Sequence, residues 1–124
     1  MVYVTNAFSL NMLPDNCVLA HILVTKLSPD NAREFLRGNN FQSYIGHPDL
    51  ASIASNILGM SLAVNRQTLT VKEGDALLVV QYRGPRLPEG TTTLPEGATI
   101  EFWLVDIFIE DEGGDENVGV TSAA

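Results

Sequence analysis

The alternation of apolar and polar residues along this chain predicts a series of strands. Residues 1–5 read as a first strand because their side chains are β-branched or aromatic. Cys17–Leu27 is a dense apolar run that fits a buried strand or a helix, and its valines, its isoleucine and the turn residues before it favour the strand. Four further segments read as strands, at residues 62–64, 69–71, 76–82 and 100–109.

Two helices are predicted where helix-starting residues precede an apolar pattern. Residues 28–30, Ser-Pro-Asp, supply an N-cap, a proline at the first helical position and an acid in the first turn, and Gly38 ends this helix. Residues 47–49, His-Pro-Asp, begin the second helix in the same way, and Gly59 closes it after apolar residues at helical spacing. Residues 41–46 are expected to be irregular, and residues 83–98 to form a loop.

These elements predict a single α/β domain with a mixed β-sheet flanked by helices. A length of 124 residues suits one domain, and 45% apolar with 18% charged residues is typical of a soluble globular protein. Acids at Glu101 and Asp106 interrupt the most apolar stretch, so we expect no membrane contact, and no secretory signal begins the chain. The single cysteine, Cys17, excludes an internal disulfide and is expected to be a small buried hydrophobe, which favours a cytoplasmic location.

Charge is distributed unevenly along the chain. The formal net charge is −8, which argues against general binding of DNA or other long nucleic acids. Residues 110–124 hold five acids and no base and are expected to be a disordered acidic tail, whereas residues 1–109 carry a net charge of only −3. Four of the seven basic residues lie close together in the sequence, namely Arg66, Lys72, Arg83 and Arg86. A small anionic ligand in a local basic pocket is therefore compatible with the composition.

The loop after the first strand mixes polar and apolar residues. Phe8, Leu10, Met12 and Leu13 can anchor the loop to a core. The polar residues between them, Asn6, Ser9 and Asn11, can then present hydrogen-bonding groups to a ligand. The pattern alone favours an ordinary packed turn over a ligand-binding loop.

Several short motifs occur in an order that resembles a known family. They are the loop at residues 6–13, Gly46-His47, Asn65-Arg66, residues 79–81 and residues 86–90. Together they resemble the small viral ring nucleases that act as type III anti-CRISPR proteins, over roughly residues 1–109. The resemblance implies that cyclic tetra-adenylate is the substrate and is cut, without a metal or cofactor, into linear di-adenylates. It also implies a homodimer with the ligand pocket across the two-fold axis.

The resemblance assigns the chemistry to three residues. It implies that His47 protonates the departing 5′-oxygen, that Arg86 stabilises the charge of the phosphate, and that Glu89 orients His47, Arg86 or the attacking 2′-oxygen. Each residue has a simpler interpretation. A lone histidine before a helix commonly caps or packs, and an arginine three residues before a glutamate commonly forms a surface ion pair.

The resemblance implies contacts to the ligand for five residues, Asn6, Ser9, Asn11, Arg66 and Gln81. Arg66 is otherwise a solvated charge at a strand end, and Gln81 otherwise satisfies a loop. His21 lies inside an apolar run and is read as structural, no role is assigned to Arg83, and no metal-ligand motif is present. Two alternatives to an enzyme stay open: a protein that binds cyclic oligoadenylate without cutting it, and a dimeric viral or mobile-element protein that binds another protein.

Overall fold

The chain forms seven regular elements around one sheet, as described by a computed structural model in residues 1–111. They are β1 Val2–Thr5, β2 Cys17–Leu27, α1 Pro29–Arg37, β3 Phe41–Tyr44, α2 Pro48–Leu58, β4 Ala76–Arg83 and β5 Thr99–Asp111, with a short 3₁₀ helix at Leu10–Met12. The strand order is β2-β5-β4-β1-β3. β1 pairs in parallel with both β3 and β4, and β5 pairs antiparallel with β2 and β4. The predicted α/β class with a mixed sheet is confirmed.

Both helices begin and end where their capping residues predict. Ser28 Oγ accepts from the backbone N–H of Asn31 at 3.1 Å and caps α1, which ends at Arg37 before Gly38. Helix α2 ends before Gly59, which has a φ of 67°, a left-handed conformation that glycine adopts without strain. The amphipathic sides of α1 and α2 bury Leu36, Leu50, Leu58 and other apolar residues against one face of the sheet.

The other face of the sheet carries a second core that loops cover. Leu77 and Val79 of β4 pack there with Leu69 and Val71 from the long connection before β4. Phe8 and two further apolar residues of the N-terminal loop pack against this core, as its interleaved pattern predicts. The loop is fixed by the backbone N–H of Val71, which donates to Met12 O at 2.8 Å.

Three secondary-structure predictions are wrong. The sequence predicts an irregular segment at residues 41–44, but these residues form β3, because the edge of β1 is free to pair with them. Residues 62–64 and 69–71 are not strands: the only strand-like pairing in these segments is a single bridge between Ile45 and Val64. Leu62, Leu69 and Val71 are buried and anchor these irregular segments to a core, whereas Val64 is exposed. The final strand also extends through Glu110 and Asp111, which we had assigned to the tail. The rest of the predicted tail, residues 112–124, lies outside the described residues.

The prediction that β2 is buried is also wrong, because β2 is an edge strand. Val18, Leu19, Leu23 and Val24 are all exposed. His21 is exposed as well, with Nε2 4.0 Å from a carboxylate oxygen of Glu110. Cys17 is only half-buried, at the start of the strand beside an irregularity in the pairing. The sequence marks this run as apolar, but apolar residues occur on uncovered faces too.

Candidate functional site

The predicted site residues follow three neighbouring parallel strands. β1 lies between β3 and β4, and the carboxyl ends of all three strands meet at one edge of the sheet. Asn6 follows β1, His47 comes shortly after β3, and Arg86 and Glu89 come shortly after β4. In open α/β sheets, ligands bind outside the carboxyl ends of strands where connections leave in opposite directions. The topology therefore puts the residues with candidate chemistry at the edge of the sheet that suits a ligand.

Four of these residues line one cleft. The cleft has a volume of about 560 Å³ and is bordered by His47, Pro48, Asp49, Arg66, Arg86, Leu87, Pro88 and Glu89. His47, Arg66, Arg86 and Glu89 come from three separate segments of the chain and are exposed to solvent. Two guanidinium groups and an imidazole on one wall can bind a phosphate.

His47 is the N-cap of helix α2. Its Nδ1 accepts from the backbone N–H of Leu50 at 3.3 Å, so in this geometry the hydrogen of the imidazole lies on Nε2. The simpler interpretation of His47 as a capping residue is therefore correct. Capping occupies only one ring nitrogen, and Nε2 keeps a hydrogen for a ligand in the cleft.

Asn6 and Arg66 fix Gly46, the residue that precedes His47. The backbone N–H of Gly46 donates to Asn6 Oδ1 at 3.0 Å, and Gly46 O accepts from Arg66 Nε at 2.8 Å. Arg66 reaches this position because residues 63–65 run beside β3, with Asn65 N donating to Ile45 O at 2.9 Å. Nε of Arg66 is thus used within the protein, and its two terminal amino groups remain for a ligand.

Ser9 and Asn11 border a neighbouring, smaller cleft of about 190 Å³, together with Thr5, Met12, Tyr44 and residues 67–69. Ser9 Oγ accepts from the backbone N–H of Asn11 at 3.2 Å and caps the 3₁₀ helix. We had expected Asn6 and Ser9 to direct their acceptors outward. Instead, the side-chain oxygen of each residue accepts a hydrogen bond from a backbone N–H of the protein, and these bonds stabilise the folded loop.

Gln81 lies apart from the cleft of His47. It borders a third cleft, of about 390 Å³, whose other lining residues are apolar and include Phe8, Val24 and Trp103. Gln81 Nε2 donates at 3.2 Å to the carbonyl oxygen of Tyr82, the next residue of β4, so the interpretation that Gln81 satisfies a loop is wrong. Its side-chain oxygen remains as an acceptor.

Arg86 and Glu89 form no ion pair with any of residues 1–111. The surface salt bridge that the sequence allowed is therefore absent from the part of the chain that the structure describes. Arg83 does have a partner, since its Nε lies 3.3 Å from Glu101 Oε1. The indole N–H of Trp103 donates to the same carboxylate at 3.0 Å and, with Arg83 and Lys26, lowers the pKa of Glu101 below its usual value.

Sequence reasoning missed Asp49, which lines the cleft from the first turn of α2. Its Oδ1 accepts from the backbone N–H of Gly90 at 3.1 Å, which joins the helix to the loop that carries Arg86 and Glu89. The local pattern indicated only an acid at a helix start, and nothing in the sequence shows which loop will fold over that start.

Two other kinds of site find no support in residues 1–111. No group of three or more histidine, cysteine or acidic side chains is arranged to hold a metal ion within that range. Neither helix there has the length and apolar character needed to cross a bilayer.

Comparison with known proteins identifies relatives in viruses of Sulfolobus. A sequence model of the STIV B116-like family matches residues 2–104. Uncharacterized protein 26 of Sulfolobus islandicus filamentous virus (isolate Iceland/Hveragerdi) is 29% identical over 111 residues, which cover 86% of this chain and 92% of that protein. The solved structure of B116 of Sulfolobus turreted icosahedral virus (STIV) has a TM-score of 0.69 and 28% identity, covering 84% of this chain and 97% of that one. The names of these relatives give a viral origin and no activity.

Proposed function

Because the chain belongs to the STIV B116-like family, we propose that it acts as a viral-type, metal-independent ring nuclease on cyclic tetra-adenylate, the second messenger of type III CRISPR defence. Cleavage to linear di-adenylates in the cytoplasm of the infected cell would switch that defence off. One observation carries the proposal: His47, Arg66, Arg86 and Glu89, which are spread over three segments, border the same cleft. The resemblance assigns the chemistry to His47, Arg86 and Glu89 and a contact with the ligand to Arg66.

The proposed reaction uses the substrate's own nucleophile. The 2′-oxygen of one ribose attacks the adjacent phosphorus, the bond from phosphorus to the 5′-oxygen breaks, and a 2′,3′-cyclic phosphate remains. His47, protonated on both ring nitrogens for this step, gives the proton on Nε2 to the departing 5′-oxygen and becomes neutral, and the proton of the 2′-hydroxyl passes to solvent beside Glu89. Arg86 stabilises the charge that grows on the phosphate, and the terminal amino groups of Arg66 bind the ring.

The direct test is incubation of the full chain, with a chelator present, with rings of three, four and six adenylates. We expect linear di-adenylates from the four-membered ring, resolved by chromatography, when substrate is in large excess over protein. Stoichiometric protection of an intact ring would overturn cleavage and favour sequestration. One observation favours that alternative: Nδ1 of His47 is already used for capping, and a capped imidazole carries only one hydrogen.

The proposed enzyme is a homodimer, and the directions of the strands restrict how two copies can share a site. β2 runs in the same direction as β1, β3 and β4, because β2 and β4 are both antiparallel to β5. Antiparallel pairing of two β2 edges would put the two sites at opposite edges of the joint sheet. Face-to-face packing with the two-fold axis along the strands puts both sites at the same end.

The face of the sheet that carries the second core is covered by loops only in part, and it leaves a suitable apolar cleft open. The helices cover one face of the sheet, and on the other face the cleft of about 390 Å³ is lined by apolar residues of β2, β4 and β5. Val24, which lies in that cleft, is 51% exposed. We propose that a second copy covers this face, so that the two His47 residues serve opposite phosphates of one ring.

Val24→Lys should convert a dimer to a monomer at micromolar concentration, because it puts a charge into an apolar interface. Sedimentation measures the change, and cleavage should fall with the fraction of dimer. Leu23→Lys is the matched control: Leu23 is the neighbouring residue, 59% exposed, and its side chain points to the opposite face of the sheet. A dimer that survives Val24→Lys and is lost in Leu23→Lys would contradict the proposed interface.

A further inference from the structure

The loop that carries Arg86 and Glu89 is joined to helix α2 by two hydrogen bonds. Asp49 Oδ1 accepts from the backbone N–H of Gly90 at 3.1 Å. Asn56 Nδ2 donates to Thr92 O at 2.7 Å. Asp49 and Asn56 are seven residues apart and therefore lie on the same side of the helix. One face of α2 thus fixes the loop at two points.

The contact of Asp49 acts on the backbone next to Glu89. Residues 88–91 form a tight turn in which Thr91 N donates to Pro88 O at 3.1 Å and Gly90 has a φ of 87°. A left-handed third residue is typical of a type II turn, and glycine suits it. The N–H that Asp49 binds belongs to the peptide between Glu89 and Gly90. Asp49 is two residues after His47, so this bond sets the position of Glu89 relative to His47.

Apart from the contacts with α2, the bonds of this turn are internal, since the N–H and the Oγ1 hydroxyl of Thr91 both donate to Pro88 O. Arg86, Glu89 and Gly90 are exposed, and exposed loops with few packed side chains open at low cost in free energy. Of the two bonds from α2, the one from Asp49 reaches the turn itself, at the peptide after Glu89, whereas the one from Asn56 reaches Thr92 beyond it. The bond from Asp49 is therefore the contact with α2 that has most influence on how often the turn occupies the arrangement described above.

We propose that Asp49 is a positioning residue, which holds Glu89 and Arg86 against the His47 side of the cleft through the backbone of their loop. The inference rests on the proposed function, since it assigns to Asp49 an effect on the same reaction. Because the carboxylate accepts a backbone hydrogen, what matters is its acceptor oxygen and not its charge.

Kinetics of two variants separate the acceptor from the charge. Asp49→Ala should lower kcat about tenfold to a hundredfold, because a small misplacement of catalytic groups has effects of this size, with a smaller change in KM. Asp49→Asn keeps an oxygen at the same place and should restore most of kcat. An Asn variant as slow as the Ala variant would overturn the positioning role.

Asp30→Ala is the matched control for the effect on the helix. Asp30 follows Ser28 and Pro29 at the start of α1 as Asp49 follows His47 and Pro48 at the start of α2. Both acids favour the positive end of their helix. Asp30 makes no bond to the loop that carries Arg86 and Glu89, so Asp30→Ala should leave kcat unchanged.

Amide exchange measured by NMR tests the contact without any need for cleavage. The Gly90 amide should exchange about tenfold faster in Asp49→Ala than in the unmodified chain, as loss of a hydrogen bond of ordinary strength predicts. The Thr91 amide, bonded within the turn, should change much less. If the unmodified chain cleaved no ring, the proposed function would be wrong, and the exchange rate of the Gly90 amide would still report whether the bond from Asp49 forms. Faster exchange at Gly90 in an Asp49→Ala protein with full kcat would overturn the inference.

Discussion

His47→Ala should cleave cyclic tetra-adenylate at least about a hundredfold more slowly, because a general acid contributes on the order of 10²–10⁴-fold in rate. The imidazole borders the same cleft as Arg66 and Arg86, so its removal takes away the proposed proton donor and leaves both guanidinium groups in place. Binding of the intact ring should persist. Single-turnover cleavage and equilibrium binding, measured on the same preparation, check both parts.

The capping role of His47 makes a second variant necessary. Alanine cannot cap, so His47→Ala also destabilises the start of α2, by about 0.5–2 kcal/mol. His47→Asn keeps a side-chain acceptor at the N-cap and should recover this stability in chemical denaturation while cleavage stays slow. If the asparagine variant regained full activity, the imidazole would have no chemical role and His47 would be a structural residue only.

Arg86→Ala should lower kcat roughly 10²–10³-fold, the size of effect seen when one donor to a developing negative charge is removed. Arg86 is exposed and has no ion-pair partner among residues 1–111, so its guanidinium is available to the phosphate in the resting protein. Arg86→Lys keeps the charge and loses the paired geometry of the guanidinium, so its kcat should lie between those of Arg86→Ala and the unmodified protein. Rapid-quench measurement of a single turnover gives the rate of the chemical step.

Arg83→Ala is the control for net charge. Arg83 lies three residues earlier and also carries a positive charge, but it pairs with Glu101 and does not border the cleft. We expect its loss to change cleavage less than about threefold, in line with the small energies of exposed ion pairs. Equal losses in the two variants would mean that overall charge, and not the position of Arg86, governs the reaction.

The sequence predicted the helices well because local chemistry determines where they begin and end. A capping residue contacts only the adjacent turn of its helix. The structure has such residues at all four helix ends, namely Ser28, Gly38, His47 and Gly59. Burial of β2 was wrong for the opposite reason. Whether an apolar strand is covered depends on which elements lie beside it, and the pattern of Cys17–Leu27 alone contains no information on its neighbours.

The candidate site was predictable as a set of residues and not as a set of contacts. The resemblance named His47, Arg66, Arg86 and Glu89, and the parallel strands bring them to one cleft. It did not distinguish side chains that are available to a ligand from those that hold the backbone. Asn6 and Ser9 use their acceptors on backbone N–H groups, which is a consequence of loop geometry.

Gln81 and Asp49 also show that the sequence did not predict the contacts of individual side chains. Gln81 was predicted beside the other ligand contacts, yet it borders a separate apolar cleft together with Val79, because it lies within β4 and the cleft of His47 is bordered by residues 86–89, after the strand. Asp49 was read as a helix-start acid and is also the acceptor for Gly90, 41 residues later. Contacts over such separations depend on the folded loop.

The cap of α2 has a consequence for the proposed reaction. An imidazole that carries hydrogens on both nitrogens has no lone pair on Nδ1, so it cannot hold the N–H of Leu50. If His47 is to give up a proton from Nε2 and remain neutral, it must first be doubly protonated, and at that moment the first turn of α2 is uncapped. Each turnover would then break and re-form the N-terminal cap of α2, so the first turn of the helix would fray once for each phosphodiester bond that is cleaved.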